Sequence, residues 1–284
     1  MQFISETVTL KSCTIVSSST NTKNLDTNKG EEELEDLVPL VPHCRQSFYW
    51  DCGLACSYMI LRYYGLQVPI TELYEKFWTQ SVWTIDLVHL LHIYGLQLTY
   101  CTTTLGVRME YSKQEFYQPH FEADKIRVQR LFGTAKSHNL KILKKSVSLE
   151  ELKKRLARGC FLRNYSNNTG FQNSSERREL LLLLVDKRLL KCNLCQRKTS
   201  LLNWFRKLCY PGFLGHYVVL WGYCPRKDIF WYSDPASCQR FCTMRSEVLE
   251  QCRKSYGTDE DLVIVHGFHK PSELQFTSSM DTVT

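Results

Sequence analysis

The chain has 284 residues, 43% of them hydrophobic and 12% aromatic, which is enough apolar material for one large buried core and excludes a wholly disordered polymer. No run of about 18 apolar residues occurs, so no membrane span is expected. The formal charge of +7 is uneven: residues 1–40 carry three Lys against seven Asp/Glu, while residues 177–207 carry nine Lys/Arg against Glu179 and Asp186. A basic segment of that kind can meet a nucleotide or an acidic partner, but no nucleic-acid motif accompanies it, and no specific nucleic acid is expected.

Residues 1–38 are rich in Ser, Thr, Asn and charge and end in EEELED, which reads as a disordered tail. They also lack a basic start followed by an apolar stretch, so no signal peptide is expected and the chain is placed in the cytoplasm, with the nucleus also open to it. One domain then covers 39–270, followed by a C-terminal tail at 271–284. A first helix is expected over 52–64, with Cys52, Ala55, Cys56, Met59 and Tyr63 on one face and Gly65 as its stop. A second over 85–94 starts after a Thr84 cap, buries Leu87, Leu90, Leu91 and Tyr94, and stops at Gly95. A weaker helix over 122–138 carries Ile126, Leu131, Phe132 and Ala135. The segment 149–158 follows Ser148 with Glu151 three residues on, a capping box, and ends at Gly159.

Strands are expected at 96–101, 140–144, 180–185, 216–222, 229–233 and 262–267. The polar stretch 163–178 reads as a loop insertion, and 186–214 as an irregular excursion from the sheet. Helices dominate the first half and strands the second, which predicts an α+β fold on an antiparallel sheet.

Three segments carry chemistry. QSFYWDCGLAC puts Cys52 at a helix N-terminus, where unpaired N–H groups and the helix dipole favour a thiolate. GHYVVLWGY puts His216 at a strand start, and FWYSDPA puts Asp234 at the end of the next strand. Pairing Tyr223 with Ile229 sets Asp234 opposite Val218, within diagonal reach of His216. Asp234 would then fix the imidazole tautomer, and Gln46 could aim its amide at an oxyanion beside the Cys52 N–H. A thiol nucleophile, a base, an orienting carboxylate and an amide donor make an acyl-transfer set that needs no cofactor and takes a peptide or protein substrate.

Other motifs read as structural. Cys192 and Cys195 have zinc-ligand spacing, with Cys209 and His216 as conceivable partners, but a second such pair is missing. Reduced thiols without a metal are expected there, and Cys238, Cys242 and Cys252 form no zinc pattern. His89 and His92 read as surface or half-buried residues, and Tyr217, Trp221, Tyr223, Trp231 and Tyr232 as core or cleft wall. The acidic triplet 259–261 reads as a solvated turn, although such carboxylates could also bind magnesium. With thirteen cysteines and no secretory signal, reduced thiols are expected throughout, and the sequons at Asn164, Asn167 and Asn173 have no glycosylation role.

QSFYWDCGLACSYMILRYYG and HYVVLWGY…SDPA resemble the Cys, His and Asp-Pro segments of bacteriocin-processing cysteine peptidases and their papain-like relatives. WDCGLAC, SVWTIDLVHLL, CTTTLGV and SYGTDEDL together resemble the guanylyl cyclase domain-containing protein family, from about Val41 to His266. The resemblance implies a papain-like fold with Gln46, Cys52, His216 and Asp234 in the peptidase positions. The family name implies conversion of GTP to cyclic GMP with Mg or Mn, for which 259–261 could hold metal and 177–207 phosphates; no phosphate-cradling glycine loop is present. A non-catalytic interaction protein that keeps the fold is the third reading.

Overall fold

The structure is a computed structural model that describes residues 41–77, 79–157, 178–195 and 212–268. The tails at 1–38 and 271–284, Cys209, and nearly all of the 163–178 insertion lie outside these residues. The chain runs α1 (Cys52–Tyr63), α2 (Ile70–Glu75), α3 (Thr84–Ile93), β1 (Leu96–Thr102), α4 (Phe121–Thr134), β2 (Lys141–Lys144) and α5 (Leu149–Ala157). It continues with β3 (Leu180–Asp186), β4 (Gly215–Cys224), β5 (Ile229–Ser233), β6 (Cys242–Arg245), α6 (Ser246–Arg253) and β7 (Leu262–Phe268).

Seven strands form one sheet in the order β2-β1-β7-β3-β4-β5-β6. The α+β expectation holds, with one departure from a purely antiparallel sheet: β2 runs parallel to β1. The cause is the connection, since α4 carries the chain back to the starting edge between the two strands. Helices cover both faces. In β3, Leu180, Leu182 and Leu184 join the core under α1 and α3. Leu181, Leu183 and Val185 join a second core under α5 and α6. Burial on both faces is why this strand reads as an unbroken apolar run rather than an alternating one.

The first helix is buried almost all round, so its single apolar face at 52–63 understates its burial. Gly65 and Gly95 follow α1 and α3 at positive φ, as expected of helix stops. Ser148 Oγ accepts the Glu151 N–H at 3.2 Å, the predicted cap of α5. Thr84 is the first residue of α3 rather than its cap. Its hydroxyl is spent on Tyr217 Oη at 3.0 Å, and the Trp83 N–H is instead bonded to Asp86 Oδ2 at 2.9 Å.

The helix expected at 122–138 occupies 121–134, and its Ile126 is 72% exposed. Its inward face is set by charge pairing. Arg127 bonds both Asp86 and, at 2.8 Å, Asp124, whose other oxygen accepts from Trp83 Nε1 at 3.0 Å. With Asp124 and Arg127 turned inward beside Val128, Ile126 falls on the outer side.

Candidate active site

The predicted hairpin forms with a compensated register. The turn is tighter than expected, pairing Cys224 with Ile229, and a bulge at Trp221 then restores the offset, so that Val219 pairs Ser233. Asp234 therefore continues opposite Val218, as the sequence implies. His216 Nε2 and Asp234 Oδ1 are 2.8 Å apart, leaving the other ring nitrogen for Cys52, to which His216 is also hydrogen-bonded. The helix that begins at Cys52 thus packs on the strand that carries His216, the arrangement the papain-like resemblance implies.

The electrostatics follow from these bonds. Burial opposes ionisation of Cys52, but the bond and charge of His216, the Tyr217 backbone N–H and the Lys187 charge outweigh it and lower the thiol pKa. Burial opposes the His216 cation, but Asp234 and Cys52 raise its pKa above the ordinary value. Burial likewise disfavours ionised Asp234, and His216, the Ala236 N–H and Lys187 bring its pKa down. Both shifts run toward a thiolate beside an imidazolium. Cys56 differs: it donates to the Tyr217 carbonyl at 3.3 Å, and burial pushes its thiol well up, so it is a core thiol.

Asp51 builds the loop in front of Cys52. Its carboxylate accepts from the Ser47 and Phe48 N–H groups at 2.9 and 3.0 Å and from Tyr74 Oη at 2.7 Å. The Gln46 N–H bonds the Pro235 carbonyl at 2.9 Å, which ties this loop to the residue after Asp234. The Gln46 side chain donates to the Phe48 carbonyl at 2.6 Å, so one of its two amide hydrogens is engaged within the loop. A Cβ at Gly53 would lie 2.8 Å from Leu87 Cδ1 and 3.1 Å from the Tyr217 ring, so a larger residue would push both side chains aside. Asp51, Gly53 and Lys187 were not singled out by sequence reasoning. The first two flank Cys52, and Lys187 lies in the basic stretch.

The hairpin aromatics Tyr217, Trp221, Tyr223, Trp231 and Tyr232 are all buried and belong to the core. His89 and His92 are half-buried, with His89 bonded to the Leu131 carbonyl at 3.1 Å.

The acidic triplet is not a solvated turn. Asp259 accepts from Thr104 at 2.9 Å and from Tyr111 and Arg108 at 2.8 Å. Glu260 takes Ser146 at 2.5 Å, and Asp261 takes Tyr100 Oη at 2.8 Å. Each carboxylate is directed to a different set of partners. Among the described residues the one group of three or more side chains with metal-ligand geometry is Cys192, Cys195 and Cys242. Of the basic residues at 177–207, Arg188 is paired with Asp186 at 2.6 Å, and 196–207 lie outside the described residues.

A family profile described as guanylylate cyclase matches residues 41–164 and 166–265. The chain belongs to the guanylylate cyclase family. "Guanylyl cyclase 1" of Arabidopsis thaliana is 37% identical over 234 residues, covering 80% of this chain and 75% of that protein. A crystal structure described as that of a C39-like peptidase from Bacillus anthracis shares 14% identity at a TM-score of 0.41, covering 82% of this chain and 98% of that one. The matched guanylylate cyclase region contains Gln46, Cys52, His216, Asp234 and the 259–261 turn alike. Among the described residues no helix is long and apolar enough to cross a membrane.

Proposed function

We propose that this guanylylate cyclase family member is a cysteine hydrolase or transferase acting on an amide, isopeptide or thioester bond of a peptide or protein. The observation that supports it is the continuous hydrogen-bonded line from Cys52 through His216 to Asp234. In this reading the Cys52 thiolate attacks the carbonyl carbon and forms a thioester. The His216 imidazolium gives its proton to the departing amine or thiol. Neutral His216 then takes a proton from the water or acceptor that cleaves the thioester. Asp234 holds the ring in one tautomer throughout, and the Cys52 N–H with the second Gln46 amide hydrogen receives the oxyanion. No metal or cofactor takes part. The chemistry needs Cys52 reduced, which suits a reducing compartment such as the cytoplasm.

The second reading is cyclisation of GTP, favoured by the family match and by the name of the Arabidopsis relative. It would use Mg or Mn at carboxylates and phosphate contacts in the basic segment. The carboxylates of 259–261 are each already bonded within the protein, so a paired metal site there would require breaking those bonds.

Incubating the folded wild-type chain and Cys52→Ala with GTP and Mg or Mn separates the two. The expected result is no cyclic GMP above the level of heat-denatured protein. Cyclic GMP made equally well by wild type and Cys52→Ala would overturn the hydrolase reading in favour of the cyclase.

A further inference from the structure

The loop after β3 turns back against the start of β6. The Asn193 N–H bonds the Thr243 carbonyl at 2.8 Å, and the Cys195 N–H bonds Cys192 Sγ at 3.2 Å. This brings Cys192, Cys195 and Cys242 together with their sulfurs all within 4.8 Å of one another. Cys195 Sγ lies 3.6 Å from Cys242 Sγ and 3.6 Å from Ser237 Oγ. A disulfide would need about 2.05 Å between sulfurs. Two thiolates on one tetrahedral zinc, each bonded at about 2.3 Å, stand about 3.8 Å apart.

Cys192 and Cys195 are half-buried, so apolar packing alone does not account for the cluster. Three sulfurs from two distant segments present a soft donor set, which selects zinc over magnesium or manganese. The two-residue spacing in CNLC supplies one half of such a site, and Cys242 the other.

We propose that Cys192, Cys195 and Cys242 bind one zinc ion, with an oxygen donor, Ser237 Oγ or water, at the fourth corner. Each thiol gives up its proton to solvent as it binds, and no redox step is involved. This revises the expectation of metal-free thiols. The ion would fasten the segment after β3 to the turn below Asp234. In that turn the Ser237 N–H bonds the Asp234 carbonyl and the Ser237 carbonyl lies 3.0 Å from His43 Nε2. Its role is structural, and it does not depend on which reaction the chain performs.

The test is metal analysis of the full chain purified without chelator or added metal. One zinc per chain is expected, falling to about a tenth or less in Cys192→Ser and Cys242→Ser and unchanged in Cys101→Ser, a buried thiol outside the cluster. As a check independent of variants, wild type stripped by chelator and still folded by circular dichroism should take up one cobalt(II) and show the visible absorption of tetrahedral thiolate coordination. Three results would each overturn the proposal: folded protein that takes up neither ion, zinc kept in full by Cys242→Ser, or a Cys195–Cys242 disulfide in protein purified without reductant.

Discussion

His216→Ala is expected to slow alkylation of Cys52 by iodoacetamide near pH 6 on the order of 10- to 100-fold. The size follows from two opposed effects. Without the imidazolium, burial acts on the thiol with only the Tyr217 N–H and Lys187 against it, and the thiolate fraction near pH 6 becomes very small. A thiolate of higher pKa is intrinsically more nucleophilic, which returns part of the loss. The pH profile should change as well. In the wild type Cys52 reactivity falls only as pH drops through the lowered thiol pKa, whereas in His216→Ala it should rise only in the alkaline range of an unassisted thiol. In metal-free protein Cys192, drawn down to about 5 by its bond with Cys242, is expected to be the second thiol labelled. Its rate should be indifferent to His216. Mass mapping of the labelled peptides reads both, and an unchanged Cys52 rate in His216→Ala would contradict the pairing.

Asp261→Asn is expected to stabilise the protein at neutral and higher pH. Burial, helped by the charge of Asp259, outweighs the bonds from Thr84, Thr102 and Tyr100 and pushes the Asp261 carboxyl up to about 7. The folded pKa is above the unfolded one, so this group's contribution to stability is fully present below the unfolded pKa. It is lost as pH rises through the folded value. The loss amounts to about 3–4 kcal/mol between about pH 4 and about pH 8. Asparagine can still accept from Tyr100 but cannot ionise. Urea denaturation of both proteins across that range should show the difference between them growing with pH, and parallel curves would contradict the assignment.

Those two effects differ in how far the sequence announces them. The candidate set was readable because each member sits at an element boundary: Cys52 at a helix start, His216 at a strand start and Asp234 just past a strand end. The expected register was right at the site although wrong at the turn, because the bulge at Trp221 offsets the tighter loop. The acidic turn was misread for the opposite reason. Its partners Tyr100, Thr104, Arg108, Tyr111 and Ser146 come from segments more than a hundred residues away, and no local pattern points to them. A gap of 47 residues after Cys195 likewise hid Cys242 from CNLC. The short elements α2, β6 and α6 contain too few residues for a hydrophobic period to register, and Ile126 shows a buried ion pair overriding the apolar reading of a helix face.

The most direct test of the acyl-transfer claim is to offer the folded chain an activated ester, p-nitrophenyl acetate, and follow both products. The expected result is a burst of about one nitrophenolate per chain, with the acetyl group found by mass spectrometry as a thioester on Cys52. Cys52→Ala and His216→Ala should each abolish the burst. Acetylation spread over lysines and surface thiols, with no burst and no dependence on Cys52 or His216, would contradict it.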